Sequence, residues 1–237
     1  MMLALLFRLR ILKPALLRFR DGTLFKVRTA MDVWVIIETY LGHTYEQNSF
    51  DIQRNWVMID IGAGIGEFSI TAAKKSPHGI VYAFEPFEES FDLMQENILL
   101  NNITNVRAYP YAVGGKAGLM NLNTDSGVPV LYSTTNNHLG SRNIIVQGTT
   151  VDEIFGNFRI ERCDLIKIDC EGAEYDILFH TSSPTYQKIK RICLEYHNGI
   201  TQFTHVDLIH FLEIQGFSVI LKPSPVHHHT GLLFASK

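Results

Sequence analysis

From Val57 onward, short apolar runs alternate with segments whose apolar residues recur at helical spacing. "VMIDI" (57–61), "IVYAF" (80–84) and "VRAYPYAV" (106–113) predict strands. "EFSITAAKK" (67–75) and "EESFDLMQENILLNN" (88–102) predict the helices between them. The rhythm changes over 114–150, where "GLMNLN", "VPVLYSTT" and "NIIVQGTT" suggest short β pieces set between polar turns, an inserted arm. Alternation then resumes with helix "VDEIF", strand "DLIKID", helix "GAEYDILF" and strand "RICLEYH". Helix "HVDLIHFLEIQ" follows, and "FSVILK" and "GLLFAS" are close enough for a closing antiparallel hairpin. Strands alternating with helices pair in parallel through right-handed crossovers, so the core is an open α/β sheet.

Before this core, "FRDGTLFKVR" reads as a hairpin around Asp21-Gly22, and "DVWVIIETYLGHTY" as a helix from Asp32 to Gly42. The first twenty residues are apolar and basic without an acid. Arg8, Arg10 and Lys13 interrupt them too early for a spanning helix, and no signal-peptide pattern is clear. The expectation is an amphipathic helix packed on the domain or on a second copy in a homodimer, with peripheral membrane contact as the alternative. Residues 1–50 thus form an extension, and 51–237 one domain with the 114–150 insertion.

Composition narrows the class. Of 237 residues, 46% are apolar and 19% charged, which describes a globular chain. A net charge of −3 gives no global field for nucleic acid, and none is expected as a partner. Cys163, Cys170 and Cys193, odd in number and set in apolar runs, fit buried reduced thiols and a cytoplasmic location.

Chemistry concentrates in "VMIDIGAGIGEFSI". The first strand runs into Gly62, Gly64 and Gly66, at the crevice where open parallel sheets bind ligands. Glycines there suit a close approach by ligand to backbone N–H groups. The dinucleotide fingerprint G-x-G-x-x-G would need a third glycine at position 67, which is Glu67. Asp60 just before the turn suits a ligand with positive charge rather than phosphate. Glu85, ending the second strand before Pro86, can accept both hydroxyls of a ribose. Together they describe a phosphate-free, partly cationic nucleoside, which S-adenosylmethionine is. Asp60 as a turn cap and Glu85 as a solvated helix-start acid are the bland alternatives.

"IDIGAGIGEFS", "YAFEPFEESFDLMQENILLNN", "YAVGG", "TTVDEIF" and "DLIKIDCEGAEYDIL" occur in the order and spacing of a known group. Over about Asp21 to Glu195 the chain resembles the FkbM family of S-adenosylmethionine-dependent methyltransferases. Many members carry Asn where this chain has Gly64. The resemblance implies a class I methyltransferase fold: a Rossmann-like, mostly parallel sheet of seven strands, the last antiparallel, with helices on both faces. It implies that Asp60, Gly62, Ala63, Gly64 and Gly66 form the cofactor loop and that Glu85 holds the ribose. Pro86 would belong to the cofactor site and Phe87 would flank the adenine, with Ala112 and Val113, ending the third strand, lining its pocket. It further implies methylation of oxygen, on sugar hydroxyls, glycosides or other small natural products.

A hydroxyl needs a positioned base at neutral pH, worth about 10²–10⁴-fold. Adjacent strands "DLIKID" and "RICLEYH" would bring Asp169, Glu195 and His197 to one edge of the crevice, with 195 and 197 on one strand face. His197 or Asp169 could act as base, or the trio could hold a divalent cation such as Mg²⁺. Alternatively, Asp169 holds the cofactor's amino group while Glu195 and His197 pair structurally. Lys167, on Asp169's face of a buried strand, suits an internal ion pair. Glu171 and Glu174 open the next helix, where Glu171 could touch ligand and Glu174 could stabilise the helix start. The histidines of "VHHHT" are expected in a turn rather than around a metal. "STTNNHLGSRN" reads as a surface loop or a flap over the acceptor site. The rival classes are an NAD-type oxidoreductase, a non-catalytic nucleoside-binding scaffold and a nucleic-acid methyltransferase.

Overall fold

The computed structural model describes residues 10–47, 50–123, 143–225 and 227–237. Strands β1 (Arg10–Arg18) and β2 (Leu24–Thr29) form an antiparallel hairpin. Over Arg10–Arg18 this replaces the expected amphipathic helix, whose first nine residues lie outside the described ones. The reason is visible in the packing, where Ala15, Leu17 and Phe19 turn inward and Leu16 turns out, a period of two. Pro14 would also leave a helix without one of its donors. The turn falls at Asp21-Gly22 as expected. Asp21 accepts from Thr23 N at 3.0 Å and Thr23 Oγ1 at 2.8 Å, and Gly22 takes φ +86°.

Helix α1 (Ala30–Ile36) begins two residues before the expected Asp32, because Thr29 is its N-cap and Asp32 closes a capping box with it. A wider π turn over Ile37–Leu41 carries the chain to Gly42. The core follows with β3 (Val57–Ile61), α2 (Glu67–Lys75), β4 (Ile80–Phe84), α3 (Glu88–Leu100) and β5 (Val106–Tyr109). The expected strand over 106–113 divides at Pro110, which has no N–H to continue a ladder. Its remainder, β6 (Ala112–Val113), joins a separate three-stranded sheet with β7 (Gly118–Asn123) and β8 (Asn143–Thr149). That sheet is the inserted arm; "VPVLYSTT" and most of "STTNNHLGSRN" lie outside the described residues.

The chain then forms α4 (Val151–Asn157), β9 (Leu165–Ile168), α5 (Glu174–His180), α6 (Ser183–Tyr186) and β10 (Arg191–His197). Helix α7 (His205–Ile214) and strands β11 (Ser218–Pro223) and β12 (Thr230–Ser236) complete it. The main sheet has seven strands in the order β11-β12-β10-β9-β3-β4-β5. Its last strand in sequence, β12, runs antiparallel to both neighbours, and the pairings from β10 through β9, β3 and β4 to β5 are parallel. Alternation along each strand splits the core in two. Ile59, Ile61, Ile166, Ile168 and Leu194 pack with Tyr175, Ile177 and Leu208 on one face. Met58, Val81, Leu165 and Cys193 pack with Phe68 and Ala72 on the other. Each fully buried Ile, Leu, Val, Met or Phe side chain among these contributes about 1.5–3 kcal/mol. Cys163, Cys170 and Cys193 are buried free thiols.

Two asparagines fasten the hairpin to this core. On α3, Asn97 Oδ1 accepts from Lys26 N at 2.7 Å, and just past the helix Asn101 Oδ1 accepts from Leu24 N at 3.0 Å. Their amides donate to the carbonyls of the same two residues. Side chains four apart on a helix thus pair with backbone two apart on β2, giving its edge the ladder it lacks. The strand order reverses between β4 and β9 on either side of β3, so the crevice opens above the carboxyl ends of β3 and β9.

Candidate active site

The glycine loop between β3 and α2 floors that crevice. Gly62, Gly64 and Gly66 have φ of +73°, +55° and +88°, and a β-carbon on Gly62 would stand 1.9 Å from Asp169 O. The loop can therefore cross the tip of β9 only without a side chain. Its N–H groups are not aimed at a ligand as expected. Those of Gly62 and Ala63 donate to Phe84 O at 3.0 Å, Gly66 N to Ala63 O at 2.9 Å, and Gly64 N to Glu85 Oε2 at 2.8 Å. A pyrophosphate would find these donors already engaged, which removes the basis of dinucleotide binding.

Asp60 also differs from expectation. It is fully buried beneath the loop, with Oδ2 accepting from Ser69 Oγ at 2.6 Å and Oδ1 3.1 Å from Lys167 Nζ. The positive charge that this acid meets is the protein's own. Lys167 Nζ also donates to Gly62 O at 2.7 Å, so the ion pair expected for Lys167 ties β9 to β3 and the loop. Burial works against its charge, but Asp60, Asp169 and Glu67 prevail and hold the ammonium firmly protonated.

Glu85 lies at the tip of β4 as expected, 5% exposed, with Oε1 accepting from Phe87 N at 3.0 Å. Burial raises its pKa to about 7 against the pull of the two N–H donors. Each oxygen keeps a lone pair for a ribose hydroxyl. Pro86 and Phe87 are half-buried just beyond, and Phe87 caps α3. Ala112 and Val113 are buried but belong to β6, not to the third strand of the sheet. Val113 packs in the cluster containing Phe84 and Ile168, the last residues of β4 and β9.

At the other edge, Asp169 follows β9 and Glu195 lies on the adjacent β10. Burial, then the Asp169 charge, raises the pKa of Glu195 to about 8. His197 offsets part of that rise, and its ring is held by two further carboxylates. Its Nε2 is 3.2 Å from Glu171 Oε2, and its Nδ1 is 3.3 Å from Glu174 Oε1. Burial lowers its proton affinity, but these two carboxylates raise it further, to about 11. Each ring nitrogen thus faces a carboxylate, an arrangement that favours the doubly protonated ring over one with a lone pair free for a general base. Glu174 also accepts from His197 N and Gly172 N, each at 2.7 Å, so it braces β10 against the start of α5.

Three participants had no sequence signal as site residues. Tyr45 reaches Asp169 Oδ2 with a 2.8 Å hydrogen bond from the N-terminal extension. Glu38, on the π turn, has its pKa raised by burial and by the Asp169 charge. Glu67, the first residue of α2, is buried against Gly64. His227 to His229 lie in the turn before β12, and among the described residues no three His, Cys, Asp or Glu side chains are arranged so that they could hold a metal ion. No helix among these residues is long and apolar enough to cross a membrane.

A seven-stranded sheet with its last strand reversed, a glycine loop at the switch point and an acid ending the second strand define a class I methyltransferase fold. The model of the methyltransferase FkbM domain matches residues 60–219, and the chain belongs to that family. It is 26% identical over 188 residues to methyltransferase sdnD of Sordaria araneosa, covering 67% of this chain and 72% of that protein. It is 24% identical over 227 residues to the AMB antimetabolite synthetase AmbE of Pseudomonas aeruginosa, covering 80% of this chain but only 11% of that much longer protein. With the hexuronic acid methyltransferase AglP of Haloferax volcanii it shares 23% identity over 147 residues, 61% of this chain and 57% of that one. The crystal structure of a methyltransferase FkbM from Methylobacillus flagellatus superposes with a TM-score of 0.57 at 13% identity, covering 87% of this chain and 54% of that one.

The cofactor is S-adenosylmethionine, and the residues present fit it. Glu85 keeps free lone pairs for a ribose, the N–H groups of Gly62, Ala63, Gly64 and Gly66 are already engaged, and the acids around the crevice outnumber Lys167 and His197.

Proposed function

We propose that this chain transfers the methyl group to a hydroxyl oxygen of a sugar, glycoside or other small natural product, with Glu195 as the base. The observation that carries this reading is the pair of carboxylates, Asp169 and Glu195, at the ends of adjacent parallel strands beside the glycine loop. Bound S-adenosylmethionine supplies the methyl on a sulfonium together with its own leaving group. The chain's work is to orient an acceptor, exclude water and remove a proton. Glu195 is half-buried, and its raised proton affinity suits a base working near pH 8. Asp169, steadied by Tyr45, supplies the charge that maintains it. His197 positions this edge through Glu171 and Glu174. The acceptor class is supported by AglP, which acts on a hexuronic acid, and by AmbE, an antimetabolite synthetase. Acceptor choice would reside in the 114–150 arm and in the N-terminal segment, which brings Tyr45 and Glu38 to the crevice.

The test is transfer of labelled methyl to a panel of hydroxylated glycosides and free sugars, run with and without chelator. Label on a hydroxyl oxygen, with a rate the chelator leaves within about twofold, is the expected result. Label confined to nitrogen or carbon, or transfer abolished by chelator, would overturn the assignment of Glu195 as the base for an oxygen acceptor.

A further inference from the structure

Two buried side-chain oxygens among the described residues lack a hydrogen-bond partner, Asp60 Oδ1 and Glu67 Oε2. Lys167 Nζ stands 3.1 Å from the first, which leaves Glu67 Oε2 as the buried oxygen with neither a donor nor a cation in hydrogen-bond reach. Glu67 is 6% exposed. A β-carbon on Gly64 would meet its Oε2 at 3.5 Å and its Oε1 at 3.8 Å, so the carboxylate lies against the Cα of the central loop glycine. Oε2 is itself closed to solvent in the free protein, and position 64 sets no side chain over it. The N–H of the same glycine points to Glu85, so Gly64 sits between the ribose acid and this second acid.

The surroundings explain why the arrangement calls for a ligand. Burial chiefly opposes a charge on Glu67; Lys167 and the residue's own backbone N–H favour the charge, and Asp60 and Asp169 oppose it. Lys167 cannot meet the whole demand, because its ammonium already holds Asp60 and Gly62 O. An ionised carboxylate left there unpaired is strongly disfavoured. A cationic donor entering over the loop would remove that penalty.

Building on the S-adenosylmethionine site described above, we propose that Glu67 receives the α-ammonium of the cofactor's methionine part. The ammonium, not the sulfonium, is the matching group, since an orphaned acceptor needs N–H and a sulfonium has none. Asp60 is then the internal partner of Lys167, and Glu67 is the acid that reads the ligand's charge. Glu67 carries a proton in the free protein at neutral pH, its pKa being raised to about 8. Pairing with the ammonium expels that proton to the buffer and leaves carboxylate against ammonium.

Calorimetric titration at pH 7, in two buffers of different ionisation enthalpy, tests this with two ligands. S-Adenosylhomocysteine carries the ammonium; 5′-methylthioadenosine has the same nucleoside without it. Glu85 meets the ribose of both, so its protons cancel in the comparison. The expected result is that S-adenosylhomocysteine releases most of one proton more than 5′-methylthioadenosine. Glu67→Gln should abolish that difference and weaken S-adenosylhomocysteine about 10- to 100-fold, leaving 5′-methylthioadenosine within about twofold. Equal proton counts for the two ligands on the wild-type protein overturn the assignment even if the variant does not fold. Unchanged S-adenosylhomocysteine affinity in a folded variant overturns it as well. Wild-type protein that binds neither ligand overturns the cofactor site itself, an outcome distinct from both.

Discussion

Tyr45 and Asp169 are 124 residues apart in sequence, yet the phenol donates a 2.8 Å hydrogen bond to the Oδ2 of the acid. The bond places a side chain from the N-terminal extension at the tip of β9, beside the proposed base. Burial, followed by Asp169 and Glu195, raises the pKa of Tyr45 well above the usual phenol value, so it acts as a donor at every working pH. Tyr45→Phe keeps the ring, which packs edge-on to Phe68 with centroids 5.8 Å apart. It should cost about 1 kcal/mol of stability in urea unfolding. Turnover should fall about tenfold while cofactor affinity stays within about twofold, because the bond orients the base rather than the nucleoside.

The pH profile should identify Glu195. With its pKa raised to about 8 and the carboxylate as the working form, kcat/KM should rise as pH increases and level off above about 8. Glu195→Gln should lose about 10²–10⁴-fold and flatten that limb. A variant with wild-type turnover and an unchanged profile would remove Glu195 from the reaction.

Lys167 and Asp60 are both essentially inaccessible and meet at 3.1 Å, so losing Lys167 leaves Asp60 without a cation, and losing Asp60 leaves Lys167 only Asp169 and Glu67 as opposite charges. Lys167→Met and Asp60→Ala should each destabilise by about 3–5 kcal/mol in denaturant titration. The double variant should cost less than the sum of the two, which is the sign that the groups act on each other.

His197 should reveal its charge through stability rather than through catalysis. Its folded pKa, about 11, stands above the unfolded value near 6.5, so its contribution is complete below pH 6.5 and is lost as pH rises toward 11. His197→Gln should therefore destabilise most at pH 6, by about 3–5 kcal/mol, because Glu174 loses its buried cation. The gap between wild type and variant should narrow steadily toward pH 10, and cofactor affinity should be unaffected. A gap that is constant with pH would mean that the imidazole is neutral in the folded protein.

Much of the fold was legible because alternation and helical period are local. "VMIDI", "IVYAF" and "RICLEYH" became strands with those bounds, and "EFSITAAKK" a helix with those bounds. Expectation failed where a local pattern had two readings. Residues 10–18 have apolar spacing that a helix or a strand could bury, and Pro110 divides a run that looks continuous. Glu85 could be located because a strand tip is a fixed place in an open sheet. Asp60 and Glu67 could not be told apart by role, since which acid meets Lys167 depends on β9 lying beside β3 more than a hundred residues later. Tyr45 and Glu38 carry no motif; only the docking of the N-terminal segment gives them a place. The protonation of His197 was hidden for the same reason, as it depends on Glu171 and Glu174 folding back from α5 and its approach.

The most direct measurement of the central claim is a crystal structure of the protein with S-adenosylhomocysteine. The account predicts the nucleoside over Gly62–Gly66 with both ribose hydroxyls on Glu85 and its sulfur directed toward Asp169 and Glu195. A nucleoside bound elsewhere, or a ribose that leaves Glu85 untouched, would contradict it.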